Sequence, residues 1–308
     1  MTAVLPTTLR LGTRRSALAQ AQARLVARAV TAATGCAVEL VEVTTEADTS
    51  SAPLTELGGT GVFVSALREA LIAGQVDLAV HSLKDLPVGT ADGIVLAAVP
   101  ERADARDVLV AARGRALAAL PAGATVGTGS PRRAVQLRAV RGDLDVVGVR
   151  GNVDTRIGQV ASGRLDAVVL AYAGLARLGR IDEATEVLGY DVMLPAPGQG
   201  ALAVECRAGD ATVADLLNGL DHPDSRVAVR AERALLAGLE AGCSAPVGAL
   251  AEIRGTEVVL RAVVGDVNGG LMRVSTSGPV DDPEGLGRRL ADRVLAESSE
   301  GLLGVRVQ

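Results

Sequence analysis

A chain that is 48% hydrophobic but only 1% aromatic has to build its core from aliphatic side chains. Phe63, Tyr172 and Tyr190 are its whole aromatic complement, and it has no Trp. The core must therefore be Ala, Val and Leu packing on helices and strands. Over the first two-thirds, short apolar runs alternate with Ala/Leu-rich helical stretches, which is the α/β pattern. At 308 residues the chain is long enough for two or three domains with well-buried cores.

Leu9 to Gly12 reads as a strand leading into a helix from Ser16 to Ala33, with Leu18, Leu25, Val26 and Val30 on one face. Val38 to Thr44 reads as a second strand, Val62 to Ala73 as a helix, and Val76 to Val80 as the strand that delivers His81 to Asp85. Two stretches echo one another. Gly74-Gln75-Val76-Asp77-Leu78-Ala79-Val80 resembles Gly163-Arg164-Leu165-Asp166-Ala167-Val168-Val169, and Leu11-Gly12-Thr13-Arg14 parallels Val126-Gly127-Thr128-Gly129. Two similar α/β lobes produce such an echo. With crossings near Pro100 and near Pro195-Ala196-Pro197-Gly198, lobe 1 takes residues 1–100 and 200–219 and lobe 2 takes 101–199. Residues 220–308 form a small C-terminal α+β domain: a helix over Ser225 to Leu239, a Gly-Cys-Ser loop, three strand-like runs and a last helix from Pro283 to Ala296. In open α/β sheets ligands bind at the carboxyl ends of strands, here in a cleft between lobes.

Several function classes are disfavoured. A net charge of −5 and no aromatic platform for stacking bases argue against a nucleic-acid binder. No stretch approaches the roughly 18 apolar residues of a membrane span, and the N-terminus lacks the basic-then-apolar layout of a signal peptide. Cys36, Cys206 and Cys243 are too few and too scattered for a disulfide framework, and His81 and His222 cannot build a metal centre on their own. A soluble, cytoplasmic protein without a structural metal is expected.

The cations carry more information. Of 31 basic residues a single one is lysine, Lys84, inside His81-Ser82-Leu83-Lys84-Asp85-Leu86-Pro87. Either a compact three-donor ammonium is needed there, or one lysine has survived a drift to arginine. The carboxylate of Asp85 directly after it, at a strand end, favours a site. In Thr128-Gly129-Ser130-Pro131-Arg132-Arg133 a strand ends in Gly, Ser130 is a candidate N-cap and Pro131 fits the first helical position. Free N–H groups, the positive helix end and two arginines make a carboxylate or phosphate cradle; the alternative is a capped helix with two solvated arginines. Arg150, Arg156, Arg14 (beside Ser16) and Arg177 fall at other strand ends. A ligand with several carboxylates is expected, because arginine forks match them bidentately. Cys243 lies in a Gly/Ser-flanked loop, where it is a candidate nucleophile or attachment point; Cys36, in a helix-to-strand connection, reads as inert and Cys206 as a buried strand residue.

Together these segments resemble the porphobilinogen deaminase (hydroxymethylbilane synthase) family, nearly over the whole chain. The matching stretches are Leu11 to Ser16, His81 to Pro87, Gly127 to Arg133, Arg150 to Arg156, Pro195 to Arg207 (PAPGQGALAVECR) and Gly242 to Gly248. The resemblance implies a three-domain, usually monomeric, cytoplasmic enzyme with two periplasmic-binding-protein-like lobes and a cysteine-bearing third domain. Its chemistry joins four porphobilinogen molecules head to tail, with loss of ammonia, into linear hydroxymethylbilane. The primer is a dipyrromethane cofactor held by a thioether. By motif position the thioether falls on Cys243, and the catalytic group is Asp85, a buried carboxylate stabilising the cationic azafulvene left when ammonia departs. Lys84, Arg132, Arg133 and Arg150 hold the cofactor, with Thr128 and Ser130 beside them. Arg14, Ser16, Arg156 and Arg177 bind the acetate and propionate arms of the incoming pyrrole.

One departure stands out. The family usually carries a lysine where this chain has Thr60, and no basic residue lies between Arg28 and Arg68. The surrounding segment resembles a flap, whose electrostatic hold on an anionic chain is reduced here. The competing reading is a non-catalytic dicarboxylate-binding protein on the same two lobes. It accounts for the arginines but not for Cys243 on a third domain or Asp85 among the cations.

Overall fold

The computed structural model describes residues 8–43, 61–242, 245–265 and 270–297, with backbone alone for 61–63. Two compact units emerge: Met1–Arg102 with Ala201–Arg226, and Ala103–Gly200 with Val227–Gln308. The first unit begins with β1 (Thr8–Thr13), α1 (Ala17–Thr34), β2 (Ala37–Glu42), α2 (Gly61–Ile72), β3 (Leu78–Ser82) and β4 (Ile94–Ala98). The second contributes β5 (Asp107–Ala111), β6 (Thr125–Thr128), α3 (Pro131–Val140), β7 (Asp145–Gly148), α4 (Val153–Ala161), β8 (Ala167–Ala171), α5 (Tyr172–Arg177) and β9 (Glu186–Val187). The chain then returns to the first unit as β10 (Leu202–Arg207) and α6 (Ala211–Asn218). It ends in α7 (Pro223–Gly238), β11 (Val247–Arg254), β12 (Glu257–Gly265), β13 (Leu271–Pro279) and α8 (Pro283–Glu297).

The two five-stranded sheets have one topology. Their orders are β2-β1-β3-β10-β4 and β7-β6-β8-β5-β9. In each, the first three strands are parallel and the fourth runs antiparallel to both its neighbours. Alternation gives each sheet two apolar faces. In β3, Leu78 and Val80 join one cluster and Ala79 the other; in β8, Ala167 and Val169 separate likewise from Val168 and Leu170.

The sequence echo has a physical basis in this repeat. Gly74 and Gly163 take φ of +67° and +74°, the left-handed conformation that ends a helix most easily at glycine. Three residues on, the Asp77 carboxylate accepts the Arg10 N–H and the Asp166 carboxylate accepts the Thr125 N–H, each at 2.9 Å. An aspartate thus ties each returning strand to the parallel strand beside it. It also explains why β3 starts at Leu78, two residues later than expected, with His81 inside it. The C-terminal sheet is an antiparallel meander, β11-β12-β13, whose Ala249, Ala251, Leu260 and Val274 pack with Leu235 and Leu239 at the α7 end and Leu286 and Leu290 of α8. Among the described residues the buried core is dominated by Ala, Val and Leu and includes no aromatic side chain.

Candidate active site

In the first unit, β3 runs directly into a single 3-10 turn, Leu83–Asp85. Leu83 and Leu86 are buried and pin it, with the Leu83 N–H donating to the Ala201 carbonyl at 3.1 Å. A period of three puts these two leucines on one side and leaves Lys84 partly buried and Asp85 exposed. The expectation of a buried catalytic carboxylate is therefore corrected: the turn's anchors are its leucines, and Asp85 faces outward. On the paired strands β3 and β10 lies a buried polar set that sequence reasoning missed. Both oxygens of Glu205 accept from Arg68, at 2.6 and 3.0 Å, and His81 Nε2 lies 3.2 Å from Glu205 Oε2. Burial would raise the Glu205 pKa, but the close approach of the His81 imidazole and the hydrogen bonds from Arg68 outweigh it and hold the carboxyl down to about 2. A lone Glu in the apolar run of β10 was the available signal. Arg14, just past β1, is partly buried, and the Ser16 hydroxyl caps α1 by accepting the Ala19 N–H at 3.3 Å.

In the second unit, Ser130 occupies the N-cap position of α3, but its side chain makes no capping bond. Thr128 Oγ1 instead accepts the Ser130 N–H at 3.1 Å, folding the Gly-rich turn back on β6. Gly129 is required there, since a Cβ would lie 2.7 Å from the Val149 carbonyl oxygen.

Arg132 and Arg133 differ from both alternatives drawn from the sequence, a free cradle and a solvated pair. Both are buried on Asp107, which is 0% exposed. Arg132 Nη1 donates to Asp107 Oδ2 at 2.8 Å and to the Leu194 carbonyl. Arg133 donates through Nε and Nη2 to Asp107 Oδ1, at 3.1 and 2.7 Å, and through Nη1 to the Val169 carbonyl at 2.9 Å. All three Arg133 nitrogens are thus engaged inside the fold, through three of the five guanidinium N–H groups. Arg132 keeps a buried Nε with no hydrogen-bond partner among the described residues. The Asp107 pKa is pushed up by burial but driven well below the usual carboxylate range by the charges of Arg132 and Arg133.

Asn152 caps α4 as expected, accepting the Thr155 N–H at 2.9 Å. Arg150 is exposed, and no partner of its side chain is found among the described residues. Arg156 Nε donates to the Gly151 carbonyl at 2.8 Å, and Arg177 Nη2 donates to the Gly200 carbonyl at 2.6 Å. Elsewhere Arg10, Arg106, Arg141 and Arg180 sit on carboxylates whose hydrogen bonds raise their pKa values. Arg156 and Arg177 behave oppositely. Burial lowers both, Arg156 with help from the Arg133 charge and Arg177 to about 10, and no described carboxylate compensates either. Desolvated cations without counter-charges make these two positions candidates for anion binding.

Residues 9–215 match the family model described as porphobilinogen deaminase, dipyromethane cofactor binding domain, and residues 227–296 match that of the porphobilinogen deaminase C-terminal domain. The chain belongs to the porphobilinogen deaminase family. Among its relatives, porphobilinogen deaminase 1 of Streptomyces coelicolor is 57% identical over 97% of this chain and 98% of its own length. The porphobilinogen deaminase of Thermobifida fusca is 61% identical over 84% and 81%. Among solved structures, a periplasmic substrate-binding protein of an ABC transporter from Coxiella burnetii covers 71% of this chain and 94% of its own at 16% identity, with a TM-score of 0.44. Family membership makes the chain an enzyme, a transferase of tetrapyrrole and heme biosynthesis that works with a dipyrromethane cofactor. Among the described residues no helix is long and apolar enough to cross a membrane.

The second unit of the chain suits such a group. Dipyrromethane is rich in carboxylates, and the unit offers an orphaned buried Arg132 Nε, two desolvated arginines and a net positive Asp107 cluster. Cys243 lies outside the described residues, as do Thr60 and the stretch before it. Cys36 and Cys206 are buried, and burial pushes the Cys206 thiol up to about 11.

Proposed function

We propose that this chain condenses four porphobilinogen molecules head to tail, losing ammonia each time, into linear hydroxymethylbilane, with the following residues carrying the work. Cys243 holds the dipyrromethane by a thioether. When bound, that group is the primer to which the first porphobilinogen is joined. Arg132, Arg150 and Lys84 bind its carboxylates, with Thr128 and Ser130 lining the turn beside them. Arg14, Ser16, Arg156 and Arg177 take the acetate and propionate arms of the incoming pyrrole. Arg133 acts through the fold, by bracing Asp107.

Asp85 stabilises the positive charge that spreads over the porphobilinogen pyrrole as its aminomethyl C–N bond breaks and ammonia leaves. The substrate amine is already protonated at neutral pH, so its departure needs no acid from the protein. Exposure of Asp85 on a rigid turn leaves its carboxylate open to a pyrrole N–H. The protein works as a cytoplasmic monomer of three domains, residues 1–100 with 200–219, 101–199 and 220–308.

The observation that carries this reading is the pair of half-buried arginines, Arg156 and Arg177, with no described carboxylate to balance them in a chain of this family. A dicarboxylate-binding protein would also use them, so the covalent cofactor discriminates. Intact mass of the purified protein is expected to exceed the sequence mass by two linked pyrrole units, and Cys243→Ser is expected to abolish the excess. Wild-type protein that makes bilane without that excess would overturn the assignment.

A further inference from the structure

A fully buried ion-pair cluster of the second unit is used by no step of the reaction. Asp107 opens β5, is 0% exposed, and holds two guanidiniums with one carboxylate. One negative charge against two positive ones leaves a net charge of +1 at the start of α3. A third donor reaches the same carboxylate: Gln199 Nε2 lies 2.9 Å from Asp107 Oδ1 and 2.7 Å from the Ala105 carbonyl oxygen. Gln199 belongs to the turn after Pro195, and that turn is held from its other side. Glu232 of α7 accepts the Gly198 N–H at 2.6 Å through Oε2 and the Ala251 N–H of β11 at 2.8 Å through Oε1. The carboxylate of Asp107 is therefore fixed by three donors from two segments, and one of these is anchored to the C-terminal helix and sheet.

The two arginines are not equivalent on this carboxylate. Arg133 has every nitrogen engaged. Arg132 is held through Nη1 alone among its terminal nitrogens, and its Nε is buried and unpartnered among the described residues. A guanidinium held at one corner in a fixed plane presents its other donors in a fixed direction. We propose that Asp107 is a positioning residue: it orients Arg132 so that its remaining donors meet a carboxylate of the dipyrromethane, while Arg133 is the strut that balances the charge. The proposal rests on Arg132 being a cofactor ligand.

Charge and position make opposite predictions here. Asp107→Asn raises the local charge from +1 to +2, so charge alone would favour an anion; loss of orientation disfavours it. The double variant Asp107→Asn/Arg133→Gln returns the charge to +1 and removes one of the two uncompensated buried cations. The readouts are melting temperature and the conversion of apoprotein to holoprotein with porphobilinogen, followed by intact mass. The double variant is expected to melt closer to wild type than Asp107→Asn does, yet to load cofactor on the order of 10²-fold more slowly, the usual consequence of misplacing a binding group by about 1 Å. Loading of the double variant at the wild-type rate overturns the proposal, because a merely structural Asp107 would be rescued with the fold. Should neither Asp107 variant fold, Gln199→Met keeps both ion pairs and removes the amide's hydrogen bonds to Asp107 and to the Ala105 and Arg106 carbonyls. It must slow loading, and an unchanged rate overturns the proposal equally. Wild-type protein that never gains the mass would refute the cofactor assignment instead, a distinct result.

Discussion

Glu205→Gln tests the buried polar set that joins β3, β10 and Arg68. Glu205 is 2% exposed and receives two hydrogen bonds from Arg68, with His81 Nε2 3.2 Å away. Burial raises its pKa, and the nearby His81 imidazole together with the hydrogen bonds from Arg68 reverses that, taking it from an ordinary 4.5 to about 2. At about 1.4 kcal/mol per unit, the ionised carboxylate contributes about 3 kcal/mol at pH 7. Because the folded pKa is the lower one, the unfolded chain binds the proton first as pH falls. The contribution is complete above the unfolded value of 4.5 and disappears as pH falls through about 2. Between those limits roughly 1 kcal/mol is gone at pH 4 and about 2 kcal/mol at pH 3. Gln keeps the shape but places an amide where Arg68 needs an anion, and breaking a buried pair costs about 3–5 kcal/mol. Urea unfolding midpoints of wild type and variant at pH 7, 4 and 3 measure the difference. The gap of about 3 kcal/mol at pH 7 is expected to shrink to about 1 kcal/mol at pH 3, since only the wild type titrates there. A gap that stays constant across this range would show that the carboxylate is not ionised in the fold, and the argument would fail.

Two variants test the catalytic and substrate assignments. Asp85→Asn is expected to lower kcat by about 10²-fold or more with no change in melting temperature, because the side chain is exposed; turnover within a few-fold of wild type would remove the carboxylate from the mechanism. Arg177→Leu is expected to raise the KM for porphobilinogen about tenfold or more, the loss of one charge-assisted hydrogen bond, with kcat less affected. Steady-state kinetics on the cofactor-loaded variant decide it, and an unchanged KM would assign Arg177 to holding the Gly200 carbonyl alone.

The layered architecture, the repeat and the family were legible in the sequence, because each rests on local pattern. Alternating apolar runs follow from the two-residue period of strands, and the six motifs lie in chain order whatever the chain's path. The echo of Gly74 to Val80 in Gly163 to Val169 is local as well, since a left-handed glycine and an aspartate three residues on are enough to turn a helix end into a strand start. The state of each charged side chain was not legible in this way. Arg132 and Arg133 look like a free cradle until Asp107, 25 and 26 residues earlier, is folded against them. Arg68 and Glu205 are 137 residues apart, and nothing near either one announces the other. Asp85 was expected to be buried and is exposed, because the buried leucines on either side of it set the face of its turn. Periodicity is a property of neighbouring residues, whereas desolvation and ion pairing depend on what the rest of the chain brings alongside. Tertiary structure alone therefore decided that every Arg133 nitrogen has a partner inside the fold, that Arg132 keeps a buried Nε without a hydrogen-bond partner among the described residues, and that Arg156 and Arg177 are desolvated with no described carboxylate to balance them.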